Sequence, residues 1–158
     1  MADWLVKSEP TDYGIEDLAR DRLQLWDGVR NYQARNYLRA MVEGDRLFFY
    51  HSNAKPPGLV GLARVSQTNL IDPTQFDPQS KYYDPKATPD CPRWYTVELA
   101  FERQFPLISL ETLKAQFTPE ELPLVRRGNR LSVMPIGEAI APRLLALAGL
   151  GAQDFSPL

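Results

Sequence analysis

A single cysteine, Cys91, and a single histidine, His51, are all that 158 residues offer of those two types. One cysteine excludes an intramolecular disulfide framework. Together the two residues cannot supply the several sulfur or nitrogen ligands of a zinc site. No stretch approaches the roughly 20 consecutive apolar residues that cross a bilayer, and Met1 to Pro10 lacks the apolar run of an export signal. Glycine-rich motifs that cradle phosphates or dinucleotides are missing. Positive charge is not in excess either: 18 Lys and Arg against 20 Asp and Glu leave a formal net charge of −2. The global positive field of a non-specific nucleic-acid coater is thereby ruled out, so any nucleic-acid contact has to be local. These absences lead us to expect a soluble protein of a reducing compartment, placed in the cytoplasm, without metal, cofactor or membrane association.

What is present suits one domain. With 44% hydrophobic residues the chain can bury a sizeable core, and we expect a single domain over residues 1–150, monomeric, with a poorly ordered tail over 151–158. Trp4-Leu-Val6 is a short strand that must stop by Pro10. Gly14 to Arg20 reads as a short helix, and Arg22 to Trp26 as a short strand. From Asn31, a plausible N-cap, Ala34, Tyr37, Leu38 and Met41 follow a helical period, and Gly44 can end the helix. Leu47 to Tyr50 and Leu59 to Val65 read as buried strands, whereas Val97, Leu99 and Phe101 alternate with polar neighbours as in a strand with one wet face. Asp72 to Pro92 holds five of the fourteen prolines together with Phe76, Tyr82 and Tyr83. That density excludes a regular helix or central strand, and the aromatics predict an ordered loop wrapped over the surface. Ser109 can cap a helix to about Phe117, Thr118 to Glu121 carries a second capping signature, Leu131 to Met134 is a last strand, and Glu138 to Ala148 a closing helix interrupted at Pro142.

Two tryptophans lie in stretches too polar for ordinary core: Trp26 in Leu25-Trp-Asp-Gly-Val-Arg-Asn-Tyr32, and Trp94 in Cys91-Pro-Arg-Trp-Tyr95. Aromatics interleaved with arginine and amide groups suit a flat, hydrogen-bonding ligand such as a nucleobase. Lys7-Ser-Glu9 sets a cation, a hydroxyl and a carboxylate at a strand end, which fits a pocket mouth as well as a solvated end. Arg30 flanks a helix start and can serve a phosphate or pair with Asp27 or Glu43. Arg35 and Arg39 share a helix face; Arg126, Arg127 and Arg130 surround a turn; each group fits phosphate contact or plain solvation. His51, followed by Ser52 and Asn53, stands where a buried strand turns polar and can both donate and accept. Ser8, Ser52 or Ser132 could join His51 and Glu9 in a catalytic trio, but any chain this long offers such trios. Binding is therefore favoured over catalysis.

Trp4-Leu-Val-Lys-Ser-Glu-Pro10, Trp26-Asp-Gly-Val-Arg-Asn-Tyr-Gln-Ala-Arg-Asn36, Gly44-Asp45, Phe49-Tyr-His-Ser-Asn53, Tyr82-Tyr-Asp-Pro-Lys86, Pro92-Arg-Trp94 and Arg130-Leu-Ser-Val133 together resemble the EVE domain, from Asp3 to about Pro142. Gly14 departs from the helix-capping serine of many relatives. The resemblance implies an α+β, PUA-like fold, a curved β-barrel with flanking helices, related to the ASCH and YTH domains. It also implies an aromatic pocket that recognises a modified base, a modified cytosine or methylated adenine, in DNA or RNA, flipped from a duplex or presented by a single strand. By that analogy Ser8, Trp26 and Asn31 match pocket positions, and Trp94, His51 and Ser132 fall in the other family blocks. Lys7, Glu9, Tyr32 and Ser52 complete the expected pocket. Arg30, Arg35, Arg39, Arg126, Arg127 and Arg130 are the expected phosphate contacts. An enzyme acting on a modified base or nucleotide, with Glu9 or Lys7 as acid or base, or a small-molecule sensor, would use the same pocket.

Overall fold

A computed structural model describes residues 1–151; the expected tail lies, from residue 152 on, outside the described residues. Six strands form one sheet in the order β2-β5-β4-β3-β1-β6. β1 (Asp3–Ser8) runs parallel to β3 (Arg46–His51), with Ser8 level with His51, and antiparallel to β6 (Val133–Ile136). β3 pairs with β4 (Gly58–Ile71), β4 with β5 (Tyr95–Ser109), and β5 with β2 (Leu23–Leu25), all antiparallel.

The two faces of this sheet are both covered, which explains why β3 reads as a continuous apolar run. Side chains alternate along β1 and β3: Leu5, Phe48 and Tyr50 join one core with α3 (Leu110–Gln116) and α4 (Ala141–Leu147). Trp4, Val6, Leu47 and Phe49 join the other with α1 (Ile15–Asp21) and α2 (Tyr32–Ala40). The paired register of β4 and β5 shifts at four places, and such bulges bend a sheet. At one of them Gly61 brings backbone so near that an added Cβ would lie 2.5 Å from the Arg103 carbonyl oxygen.

The α+β class stands, but the sheet is not closed into the expected barrel. β2 and β6 are its edges and do not pair with each other among the described residues. Local signals fared unevenly. Asn31 caps α2 by accepting from the Ala34 N–H at 2.9 Å, while at α1 Gly14 has no side chain to cap with and Asp17 accepts the Gly14 N–H at 2.8 Å. Thr118 and Glu121 exchange capping hydrogen bonds, yet no α-helix follows: Pro123 disfavours helical backbone at Leu122, and a 3-10 turn forms over Pro123–Val125. Pro142 begins α4 instead of interrupting it, since a first-turn residue needs no N–H acceptor.

Candidate functional site

A cavity of about 780 Å³ opens where β1 and β3 end side by side. Its floor and rim come from three places: Lys7 to Glu9 with the turn that follows, Ser52 after β3, and Ser132 before β6. The strands themselves fix these positions. Ser52 N–H donates to the Ser8 carbonyl at 3.0 Å and Lys7 N–H to the Ser132 carbonyl at 2.9 Å. The turn is closed by Asp12 and Tyr13 N–H groups, both on the Glu9 carbonyl at 2.9 Å, and by the Ser8 hydroxyl donating to the Tyr13 carbonyl at 2.6 Å. Ser8 thus spends its proton on the rim and keeps only acceptor capacity.

The opposite wall is the unbroken segment Gln24 to Arg30. Trp26 is anchored through its backbone N–H to the Val97 carbonyl at 2.9 Å, and its backbone carbonyl accepts from the Thr96 hydroxyl. The residue is 7% exposed, and its ring meets Phe49 and Tyr13 edge-on, at interplanar angles of 78° and 82°. No aromatic ring lies parallel to it among the described residues. Gly28 has φ +84°, and an added Cβ would sit 2.6 Å from the Tyr82 ring, so only glycine lets that ring close on the wall. Arg30 then holds the 72–92 loop in place. Its guanidinium reaches Asp72 at 3.0 Å, the Tyr82 carbonyl at 2.9 Å and the Thr74 hydroxyl at 2.9 Å. That clamp makes Lys81 and Tyr82 part of the cavity.

Of the residues expected in a pocket, Lys7, Ser8, Glu9, Trp26, Ser52 and Ser132 line the cavity, as do Arg30 and Arg130. Asn31, Tyr32, His51 and Trp94 do not, for identifiable reasons. Asn31 spends its side-chain oxygen on the helix cap. His51 accepts the Ile15 N–H on Nε2 at 3.1 Å, at the start of α1, which fixes the ring proton on Nδ1. Trp94 donates its indole N–H to Asp84 at 2.7 Å and stacks on Tyr32 with ring centres 5.0 Å apart. Arg30 and Arg35 bracket that ring at 5.1 and 5.8 Å. Arg30 is ion-paired with Asp72, neither Asp27 nor Glu43. Arg35 holds Asn36 and the Arg93 carbonyl, and Arg39 lies over Tyr95 at 4.3 Å. Arg126 and Arg127 are exposed on the turn at Gly128. Tyr13, Gln24, Asp27, Gly28 and Tyr82 are cavity residues that sequence reasoning did not select. Asp27, Gly28 and Tyr82 stood inside the singled-out blocks; nothing local marked Tyr13 or Gln24.

The EVE domain profile matches residues 2–147. The chain belongs to the EVE domain family. Thymocyte nuclear protein 1 of Mus musculus is 40% identical over 163 residues, covering 91% of this chain and 72% of that protein; for the Danio rerio protein the covered share is 66%. A crystal structure from Pseudomonas putida superposes with a TM-score of 0.89 at 50% identity, covering 93% of this chain and 99% of that one. Human THYN1 in complex with 5-methylcytosine-containing DNA superposes with a TM-score of 0.86 at 36% identity, covering 96% and 99%.

Two charged groups of the EVE cavity are held away from their ordinary proton affinity. Partial burial pushes the Lys7 ammonium down; its Nζ finds only the Asn129 carbonyl, at 3.4 Å. Burial, and then repulsion from Asp72, pushes the Asp27 carboxyl up against a partial offset from Arg30. Among the described residues no group of three or more His, Cys, Asp or Glu could hold a metal ion, and no helix is long and apolar enough to cross a membrane.

Proposed function

We propose that this EVE domain binds nucleic acid carrying a modified base, modified cytosine in DNA foremost, and that the base enters the cavity and stacks on Trp26. One observation carries the reading. Trp4 and Trp94 donate their indole N–H groups to Asp45 at 3.0 Å and Asp84 at 2.7 Å, whereas Trp26 has no acceptor among the described residues. A buried tryptophan normally finds one, so an unpaired donor on a cavity wall suits a ligand that brings polar groups beside a flat ring. The human relative bound to 5-methylcytosine-containing DNA supports the class of ligand. A curved sheet with helices on both faces supports reading the fold as PUA-like.

Access from a duplex requires flipping the base out, at a cost of a few kcal/mol that single strands avoid. Stacking on an aromatic ring returns about 1–3 kcal/mol per base. Arg130 at the rim, with Arg126 and Arg127 on the same turn, is placed to meet phosphates, which makes affinity fall with salt. The test is tryptophan fluorescence on titration with oligonucleotides carrying cytosine, 5-methylcytosine or N6-methyladenine, in DNA and RNA, at two salt concentrations. Saturable quenching that prefers a modified form is expected. Trp26→Leu, which keeps apolar bulk but removes the stacking face, should weaken binding by about 1–3 kcal/mol; undiminished affinity in this variant would refute the stacking role.

A further inference from the structure

Asp27 follows Trp26 directly in the chain, on the same continuous wall, and its carboxylate receives no hydrogen bond from another described residue's side chain or backbone. The other acids nearby are differently placed. Asp72 is 2% exposed and saturated by Gly28 N–H, Thr74 and Arg30. Asp12 faces Lys81 at 3.8 Å. Glu9 is exposed, as Asp27 is, but stands past the end of β1 on the opposite wall. Asp27 thus takes a hydrogen bond from its own backbone N–H alone and is the cavity acid on the wall of the ring on which the ligand is read to stack.

We propose that Asp27 is the specificity-determining residue of the cavity, its carboxylate accepting the exocyclic amino N–H of a cytosine-type base stacked on Trp26 and rejecting bases that carry a carbonyl oxygen there. This rests on the base-binding reading above. An ionised carboxylate only accepts hydrogen bonds, so it matches the cytosine N4 amine, a pairing acidic side chains make with that group. Thymine and uracil present O4 at the same place, and two acceptors repel. Partial burial and the neighbouring Asp72 push the carboxyl up, against Arg30 and its own backbone N–H, and an N–H brought by the ligand adds to that offset. Ser52 and Ser132, which also line the cavity, carry hydroxyls able to donate to acceptors elsewhere on the base. The cavity thereby distinguishes an amino base from its deaminated counterpart, a difference that stacking and a 5-methyl niche cannot read.

The matched pair 5-methylcytosine and thymine isolates this term, because both carry the 5-methyl group and they differ at the exocyclic amine and the adjoining ring nitrogen. Single-stranded DNA with either base at one position is titrated against the intact protein and its Asp27→Asn and Asp27→Ala variants, with circular dichroism verifying the fold of each. The unaltered protein should favour 5-methylcytosine by about tenfold or more. Asp27→Asn, whose amide can donate as well as accept, should bring the ratio to within about twofold while still binding. Asp27→Ala should weaken 5-methylcytosine binding and strengthen thymine binding. Equal affinity of the unaltered protein for both bases, with quenching lost in Trp26→Leu, would overturn the role of Asp27 and leave the base reader intact. So would an Asp27→Asn variant that retains the preference. Quenching by neither oligonucleotide would instead remove the base-binding reading, and this inference with it.

Discussion

Trp26 and Trp94 look alike in the chain, each set among arginine, aromatic and amide neighbours, and the structure uses them in opposite ways. Both are nearly buried, at 7% and 5% exposure. The difference lies in what their polar and aromatic surfaces meet. Trp94 is finished: its N–H is on Asp84, one ring is stacked on it, and two guanidinium groups flank it. The Asp84 carboxyl is pushed down first by that indole donor and then by the Lys86 N–H, Arg93 and Arg30. Trp26 is unfinished, with edge-on neighbours only and a donor left over on a cavity wall. An aromatic surrounded by arginines is thus a structural clasp when its own donors are satisfied, and a candidate ligand platform when they are not. Here the clasp serves the platform, because Trp94, Arg30 and Asp72 together fix the 72–92 loop that closes the cavity.

The sharpest way to break this contrast is to remove the clasp. Trp94→Ala would open a hole between Tyr32 and the arginines and leave Asp84 without its indole donor. A loss of about 3–5 kcal/mol of folding stability is expected, read as a lower midpoint in chemical denaturation. Oligonucleotide affinity of the folded fraction should fall less than in Trp26→Leu. If Trp94→Ala instead cost affinity as Trp26→Leu does, with little loss of stability, the two roles would have been assigned the wrong way round.

A smaller effect separates Asn31 from the cavity. Its side chain follows the Trp26 segment but accepts from the Ala34 N–H at 2.9 Å. Asn31→Ala should therefore cost about 1 kcal/mol of stability, as loss of an N-cap does. Asn31→Asp, which keeps the acceptor, should restore it. Affinity for a modified-base oligonucleotide should move with neither variant; a selective loss of affinity in Asn31→Ala at full stability would make Asn31 a ligand contact.

The elements were legible where a local signal and the tertiary context agreed. The Asn31 cap, the apolar period of α2 and the uninterrupted run of β3 each appeared as read, because burial on both faces of the sheet leaves no polar alternation to confuse the pattern. Sheet closure was not legible, since pairing of edge strands depends on bends that bulges in β4 and β5 introduce and no local residue announces. For the site, the strand-end block Lys7 to Glu9 and the Trp26 segment both line the cavity. Asn31, His51 and Trp94 lie outside it for one shared reason: residues that can recognise a base are equally able to satisfy a helix start, an orphan N–H or a buried ring. Sequence shows the capacity, and only the fold shows which partner took it. Asp27 was passed over because an acid beside an arginine reads as a pair, while the arginine in fact turned to Asp72.

His51 gives the last and smallest separation between residues spent on structure and residues left for a ligand. Burial pushes its pKa below the ordinary 6.5, with Glu16 and Asp17 opposing. The cause is visible: Nε2 accepts the Ile15 N–H and must be unprotonated to do so. The unfolded chain therefore takes up the proton first as pH falls. The stability that neutral His51 contributes is complete above pH 6.5 and is lost as pH drops from there through the lower folded-state value. Thermal unfolding at pH 7.5 and pH 5 should show a fall in Tm that is larger in the unaltered protein than in His51→Gln, whose side chain does not titrate. Equal falls in both would free His51 from α1, and a pH-dependent change in oligonucleotide affinity without a change in Tm would return it to the cavity.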